Sequence, residues 1–164
     1  MGRADQIGRY QDQLRRRRWR TARRVSQGST GVIMAIIRGN PPSMKNVRAS
    51  VYNHYVRVDQ PKSLIFVSGQ LARDDEGNQV GVGSMLEQTR QCLRNVEKCL
   101  EAAGAALSDV VWTTVYTTDI REFKQIVAAR EEFCKTNLPT STMVEVSHLS
   151  EPGLLVEIQV IAAA

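Results

Sequence analysis

Only two histidines, His54 and His148, and three cysteines, Cys92, Cys99 and Cys134, occur in 164 residues. The histidines lie far apart and the cysteines show no C-x-x-C spacing, so no zinc or other metal site is expected. Cys92 and Cys99 fall on one expected helix face, too distant along its axis to bond to each other, and read as small core residues. An odd cysteine count without framework spacing excludes a disulfide scaffold. No apolar run is long enough to span a bilayer. Also missing are a phosphate loop, a G-x-G-x-x-G turn, a G-x-S-x-G elbow and a His–Cys pair at useful spacing. Their absence removes the nucleotide-binding folds and the commonest nucleophilic hydrolases.

The charge that is present is unevenly placed. Residues 1–50 carry twelve Arg/Lys against two Asp, whereas the remaining residues carry ten basic and fifteen acidic side chains. The formal charge of +5 therefore belongs to a basic leader, assigned here to residues 1–48, and the globular part at 49–164 is acidic. The block "LRRRRWRTARR" could attract phosphates or an anionic membrane surface. Without apolar periodicity around it, and running into "SQGSTG" and "RGNPPS", it reads as a disordered tail. Met34 and Met44 are alternative starts. "GVIMAII" is short for a secretory core, and the Arg-rich stretch 13–33 fits a mitochondrial presequence better, although Asp5 and Asp12 precede it. The expected location is cytoplasmic, with mitochondrial the alternative.

Beyond the leader, "ASVYNHYVRVD" alternates like a half-exposed strand and "SLIFVSGQ" runs apolar like a buried one. Ser84 to Ala103 is the clearest helix. Ser84 and Glu87 have capping-box spacing, a stripe of Leu86, Thr89, Cys92, Leu93, Val96, Cys99, Leu100 and Ala103 marks its core face, and Gly104 suits a left-handed end. "VVWTTVYT" is the next strand. Asp119 and Glu122 open a second helix with a stripe of Phe123, Ile126, Val127, Phe133 and Cys134. "PTSTMVEVSHL" and "LLVEIQVIA" close the order β-β-α-β-α-β-β, with "SEPG" turning the last pair around. That order predicts an α+β fold, a mainly antiparallel sheet with two helices on one face.

In the last two strands, alternation assigns Val144, Val146, Val156, Ile158 and Val160 to the helix side. Met143, Glu145, Leu155, Glu157, Gln159 and Ile161 take the opposite side, a half-apolar face that another subunit would cover. Glu157, flanked by Val156 and Ile158, would be costly to leave ionised without a partner there. A hydrogen bond, a cation, a catalytic water, or an Arg or Lys of a neighbouring chain would satisfy it. Glu145 reads as a pair across the subunit boundary, and His148, on the helix side by alternation, as a structural residue. "VSGQ" ends its strand on Gly69, whose backbone a ligand could approach closely.

Taken together, "LIFVSGQLARDDEGNQV", "TRQCLRNVEKCLEAAGA", "DVVWTTVYTTDIREF" and "PTSTMVEVSHLSEPGLLVEIQVIA" resemble the Rid (YjgF/YER057c/UK114) family over residues 50–162. "HLSEPGLLVEIQ" looks closest to its 2-aminomuconate deaminase-like branch. The resemblance implies a chorismate-mutase-like fold and a homotrimer with intersubunit clefts. It also implies hydrolysis of reactive imines or enamines to 2-keto acids and ammonia, without metal or organic cofactor. By matching positions it implies that Glu157 orients or activates water and that Tyr55, Ser68 and Gly69 face ligand. The deaminating members carry arginine where this chain has Ser141, often cysteine at Met143, and asparagine at Val127, so the cleft here is more apolar and lacks the usual carboxylate grip. Arg73 is one cation that could replace it.

The expected function is a deaminase-like hydrolase of an imine, enamine or related small metabolite, with Ser141 altering specificity and Tyr55, Ser68, Gly69, Val127, Ser141 and Met143 binding substrate. The alternative is a non-catalytic trimer that binds a small ligand. The expected partners are the chain itself and a small molecule. A membrane is not among them, and nucleic acid would bind only non-specifically through the leader, because the globular part is acidic.

Overall fold

A computed structural model describes residues 34–45 and 50–164. The Arg-rich block, and with it the targeting and phosphate-binding readings, lies outside the described residues.

Among the described residues six strands and two helices follow one another as β1 (Ala35–Gly39), β2 (Tyr55–Asp59), β3 (Leu64–Leu71), α1 (Met85–Ala102), β4 (Val110–Thr117), α2 (Phe123–Phe133), β5 (Thr140–Glu145) and β6 (Val156–Ala163). Strands β1 and β2 pair antiparallel as a ribbon, and the other four form a sheet in the order β3-β6-β4-β5. Within it β6 runs antiparallel to both neighbours, and β5 is parallel to β4. The α+β architecture is as expected, but the last two strands are not a hairpin. β6 inserts between β3 and β4, where both its edges find partners, and β5 takes the outer edge.

Strand β1 falls inside the segment assigned to the leader, whose boundary at residue 48 therefore sits too late. Its apolar side chains gain a partner in β2, and Arg38 anchors it by donating from Nη2 to the carbonyls of Ser108 (3.0 Å) and Val110 (3.3 Å). Local sequence does not announce that pairing, because the two strands are separated by "NPPSMKNVRASVYNH".

Helix α1 forms where its cap and stripe predict. The Ser84 hydroxyl accepts from the Glu87 N–H at 3.3 Å, and Gly104 closes the end at φ +77°. The reciprocal half of the capping box is replaced. Glu87 turns to Arg90, whose guanidinium also grips Glu132 of α2 and ties the helices together. The second helix starts later than Asp119 predicts, after a 3₁₀ turn at Ile120–Glu122, and the Asp119 carboxylate accepts from the Arg121 N–H.

Leu93, Val96, Leu100 and Cys92 of α1 pack with Ile126 and Ala129 of α2 over Val67, Val115, Val156, Ile158 and Val160 of the sheet. Fourfold recurrence on α1 and twofold recurrence on β6 supply matching apolar faces. Gln88 is the polar exception. It is fully buried, donating from Nε2 to the Gly153 carbonyl at 2.7 Å and accepting at Oε1 from the Leu155 N–H at 2.8 Å. It thus holds the β5–β6 connection against α1. On the opposite side β3 is less buried than its apolar run suggests: Phe66 is 72 % and Leu64 52 % exposed. As an edge strand, β3 has helices over only one of its faces.

Gln88→Leu keeps the volume and removes both bonds, so stability should fall by about 1–3 kcal/mol and Tm by roughly 3–10 °C. Calorimetry checks this; an unchanged Tm would show that the loop does not depend on Gln88.

Candidate functional site

The expected site residues separate into two groups on opposite faces of the sheet. On the helix side, Ser141 and Met143 of β5 join Val127 and Phe123 of α2 around a cavity of about 360 Å³, closed by Val51, Tyr52, Ile120 and Arg130. This corrects the alternation reading of β5. Parallel pairing sets Ser141 beside Thr113, Met143 beside Val115 and Glu145 beside Thr117, all inward-facing positions of β4. Val144 is turned out and 38 % exposed. Both phases of "TSTMVEV" carry apolar residues, so only the partner strand decides the face.

Glu145 therefore belongs to the helix side, contrary to the alternation reading, and has an intrachain role. Its Oε2 accepts from the Ile120 N–H at 2.7 Å, at the start of the turn that leads into α2, where a carboxylate is electrostatically favoured.

On the open face stands Glu157, as expected. It lines a second cavity of about 340 Å³ with Tyr116, Gln159, Val146, His148, Leu149 and Ser150. His148 is thus brought to the Glu157 side and is exposed, because the chain leaves β5 at Glu145 and strand alternation no longer applies there. Tyr116 donates its hydroxyl to Gln159 Oε1 at 3.2 Å, which fixes one wall. Sequence reasoning passed over Tyr116, because its place opposite Glu157 is set by strand register, which no local signal gives.

Gly69 lies against Glu157. A Cβ there would stand 1.6 Å from Glu157 Oε1 and 2.5 Å from its Cδ, so only glycine admits the carboxylate in this position. Ser68 shares the irregularity between Val67 and Gln70, is exposed, and accepts from Gln70 Nε2 at both its carbonyl (3.1 Å) and its hydroxyl (3.4 Å). Tyr55 is not with them. It lies in the β1–β2 ribbon, 45 % exposed, its ring over Gly39, where a Cβ would meet its Oη at 2.6 Å.

Arg73 is committed elsewhere. It pairs with Glu151 and donates to the Gly77 carbonyl at 2.5 Å. Beneath the sheet, burial first and then the Glu157 charge push the Cys92 thiol up to about 12, and its Sγ donates to the Val156 carbonyl at 3.5 Å. Among the described residues no group of His, Cys, Asp or Glu could hold a metal ion, and no helix is long and apolar enough to cross a membrane.

The family model described as endoribonuclease L-PSP matches residues 45–164. The chain belongs to the Rid family. A RutC family protein of Pyrococcus abyssi is 37 % identical over 100 residues, covering 61 % of this chain and 78 % of that protein. Human 2-iminobutanoate/2-iminopropanoate deaminase is 32 % identical over 111 residues, covering 68 % and 78 %. A crystal structure of a Rid family protein of unknown function from Yersinia pestis superposes with a TM-score of 0.73 at 28 % identity, covering 79 % of this chain and 98 % of that one. The expected chorismate-mutase-like Rid fold is thereby established, and some Rid relatives are named as imine deaminases.

With its thiol at about 12, Cys92 is thiolate to only about one part in ten thousand at pH 8. Iodoacetamide should leave it unlabelled in the native protein and label it in urea, read by peptide mass spectrometry. Rapid native labelling would contradict this burial.

Proposed function

We propose that the chain is a Rid-type hydrolase of small imines or enamines, acting as a homotrimer in a cleft between subunits. The observation that carries the reading is the Glu157–Gly69 contact on the open face, together with the Ser141–Val127–Met143 cavity on the other. Both groups match ligand-facing positions of the family, yet they lie on opposite faces of one sheet. A neighbouring subunit is the means of joining them: the cavity of one chain faces Glu157 and Gly69 of the next. The exposed Phe66, Leu64 and Val144, beside Ile161, supply an apolar surface for that contact. Ser68 adds to the lining from the open side, and Tyr55 would have to reach it from the β1–β2 ribbon.

Chemically, Glu157 positions a water and takes its proton as oxygen attacks the C=N carbon. The nitrogen is protonated, and the carbinolamine collapses to a carbonyl compound with loss of ammonia. An enamine enters the same path once its carbon is protonated. Serine at position 141 favours the alternative of a ligand-binding trimer without turnover, since the family's arginine is absent there. The expression "endoribonuclease" in the family description does not transfer readily, because residues 51–164 carry a net negative charge that repels a polyanion.

Ammonia release from 2-iminobutyrate formed in situ tests the chemistry. Wild type should exceed the uncatalysed rate, and Glu157→Gln should lose about 100-fold or more in kcat. No release by wild type would favour the binding reading, and full activity of the variant would remove Glu157 from the mechanism. Assembly is tested by light scattering. Wild type should give about 55 kDa, three times the 18.3 kDa chain, and Phe66→Glu should shift the mass towards the monomer. A monomeric wild type would sink the cleft.

A further inference from the structure

The helix-side cavity contains a charge that no carboxylate among the described residues balances. Arg130 is only 3 % exposed, yet it lines the cavity beside Ser141, Val127 and Met143. Its Nη2 donates to the Val51 carbonyl at 3.1 Å, and no carboxylate among the described residues pairs with it. Three other arginines hold carboxylates: Arg90 holds Glu87 and Glu132, Arg73 holds Glu151, and Arg121 holds Asp119. Burial lowers the affinity of Arg130 for its proton, with the Cys134 thiol the one opposing influence, but an arginine begins so high that it remains cationic at neutral pH. A guanidinium withdrawn from water with one carbonyl acceptor retains most of its five donors for another group.

Its position on α2 is equally specific. Phe123, Val127 and Arg130 are spaced i, i+4, i+7 and fall on one helix face, which looks across the cavity to Ser141 and Met143. A cavity of about 360 Å³ with apolar walls and one buried cation suits a small aliphatic molecule with one carboxylate. We infer that Arg130 is the carboxylate clamp of this cleft: its guanidinium and the Ser141 hydroxyl hold the carboxylate of a small 2-imino or 2-oxo acid, whose aliphatic part lies against Val127, Phe123 and Met143. The positive charge missing from β5 at position 141 is supplied instead from α2. This inference rests on the imine-hydrolase reading for its substrate class, but its test does not depend on turnover.

The probes are 2-oxobutyrate and its neutral counterpart 2-oxobutanamide, titrated into the full chain by calorimetry and followed by methyl NMR. Wild type should bind the acid at least tenfold more tightly than the amide, with shifts at Met143 and Val127. Arg130→Gln should lose at least tenfold for the acid and little for the amide, and Arg130→Gln/Ser141→Arg should recover much of that loss. Equal affinity for acid and amide, or no Met143 shift in wild type, overturns the clamp even if every Arg130 variant fails to fold. So does acid binding unchanged in a folded Arg130→Gln. The readings fail separately: acid binding through Arg130 without ammonia release removes only catalysis, and ammonia release with a KM indifferent to Arg130→Gln removes only the clamp.

Discussion

The alternation of β6 is the constraint on which the rest of the molecule depends. Paired on both edges, the strand has no freedom to slip, since a shift of one residue would expose Val156, Ile158 and Val160 and bury Glu157 and Gln159. The apolar set is locked under α1 by Leu93, Val96 and Leu100. Glu157 is thereby held on the other face without needing a structural partner of its own. Gly69 then fits to it, because the neighbouring strand must come close enough that no side chain can intervene.

Polar side chains, one of them fully buried, act as fasteners for the segments that leave the sheet. Gln88 catches the β5–β6 connection, Asn53 donates to the Leu138 carbonyl, and Glu145 accepts from the turn before α2. Each satisfies backbone groups that a loop packed against the core would otherwise leave unpaired. Arg130 resembles Gln88 in burial but not in satisfaction. A neutral side chain could accept or donate locally at lower cost, whereas a guanidinium facing a cavity is intelligible if an anion enters. In the proposed clamp, apolar Val127 and Met143 and the cation of Arg130 line one cavity, so that a carboxylate would be held from the helix and not from the edge strand.

Much of this fold was legible in the sequence because its signals are local. Ser84 and Glu87 mark the start of α1, Gly104 its end, and "VVWTTVYT" is β4 residue for residue. That Glu157 faces away from the helices was legible through its apolar neighbours Val156 and Ile158, both buried. What was misread required a partner strand. "TSTMVEV" has two plausible inward faces, and pairing with β4 selects the one carrying Ser141 and Met143. His148 lies beyond the end of β5, where period-two counting carries no information. β1 was absorbed into the leader because the support seen among the described residues, β2 and the anchoring of Arg38, comes from elsewhere in the chain.

The sequence by itself determined the α+β class, the two helices with their core faces, and the family, since these rest on periodicity, capping and motif order read along the chain. The tertiary structure alone decided which face each candidate residue occupies, that Glu145 serves α2, that Arg73 is already paired, and that Arg130 is buried beside Ser141 with no counter-ion among the described residues. The reason is physical: strand register and charge burial are properties of contacts between distant segments. No residue carries them until its partners are in place.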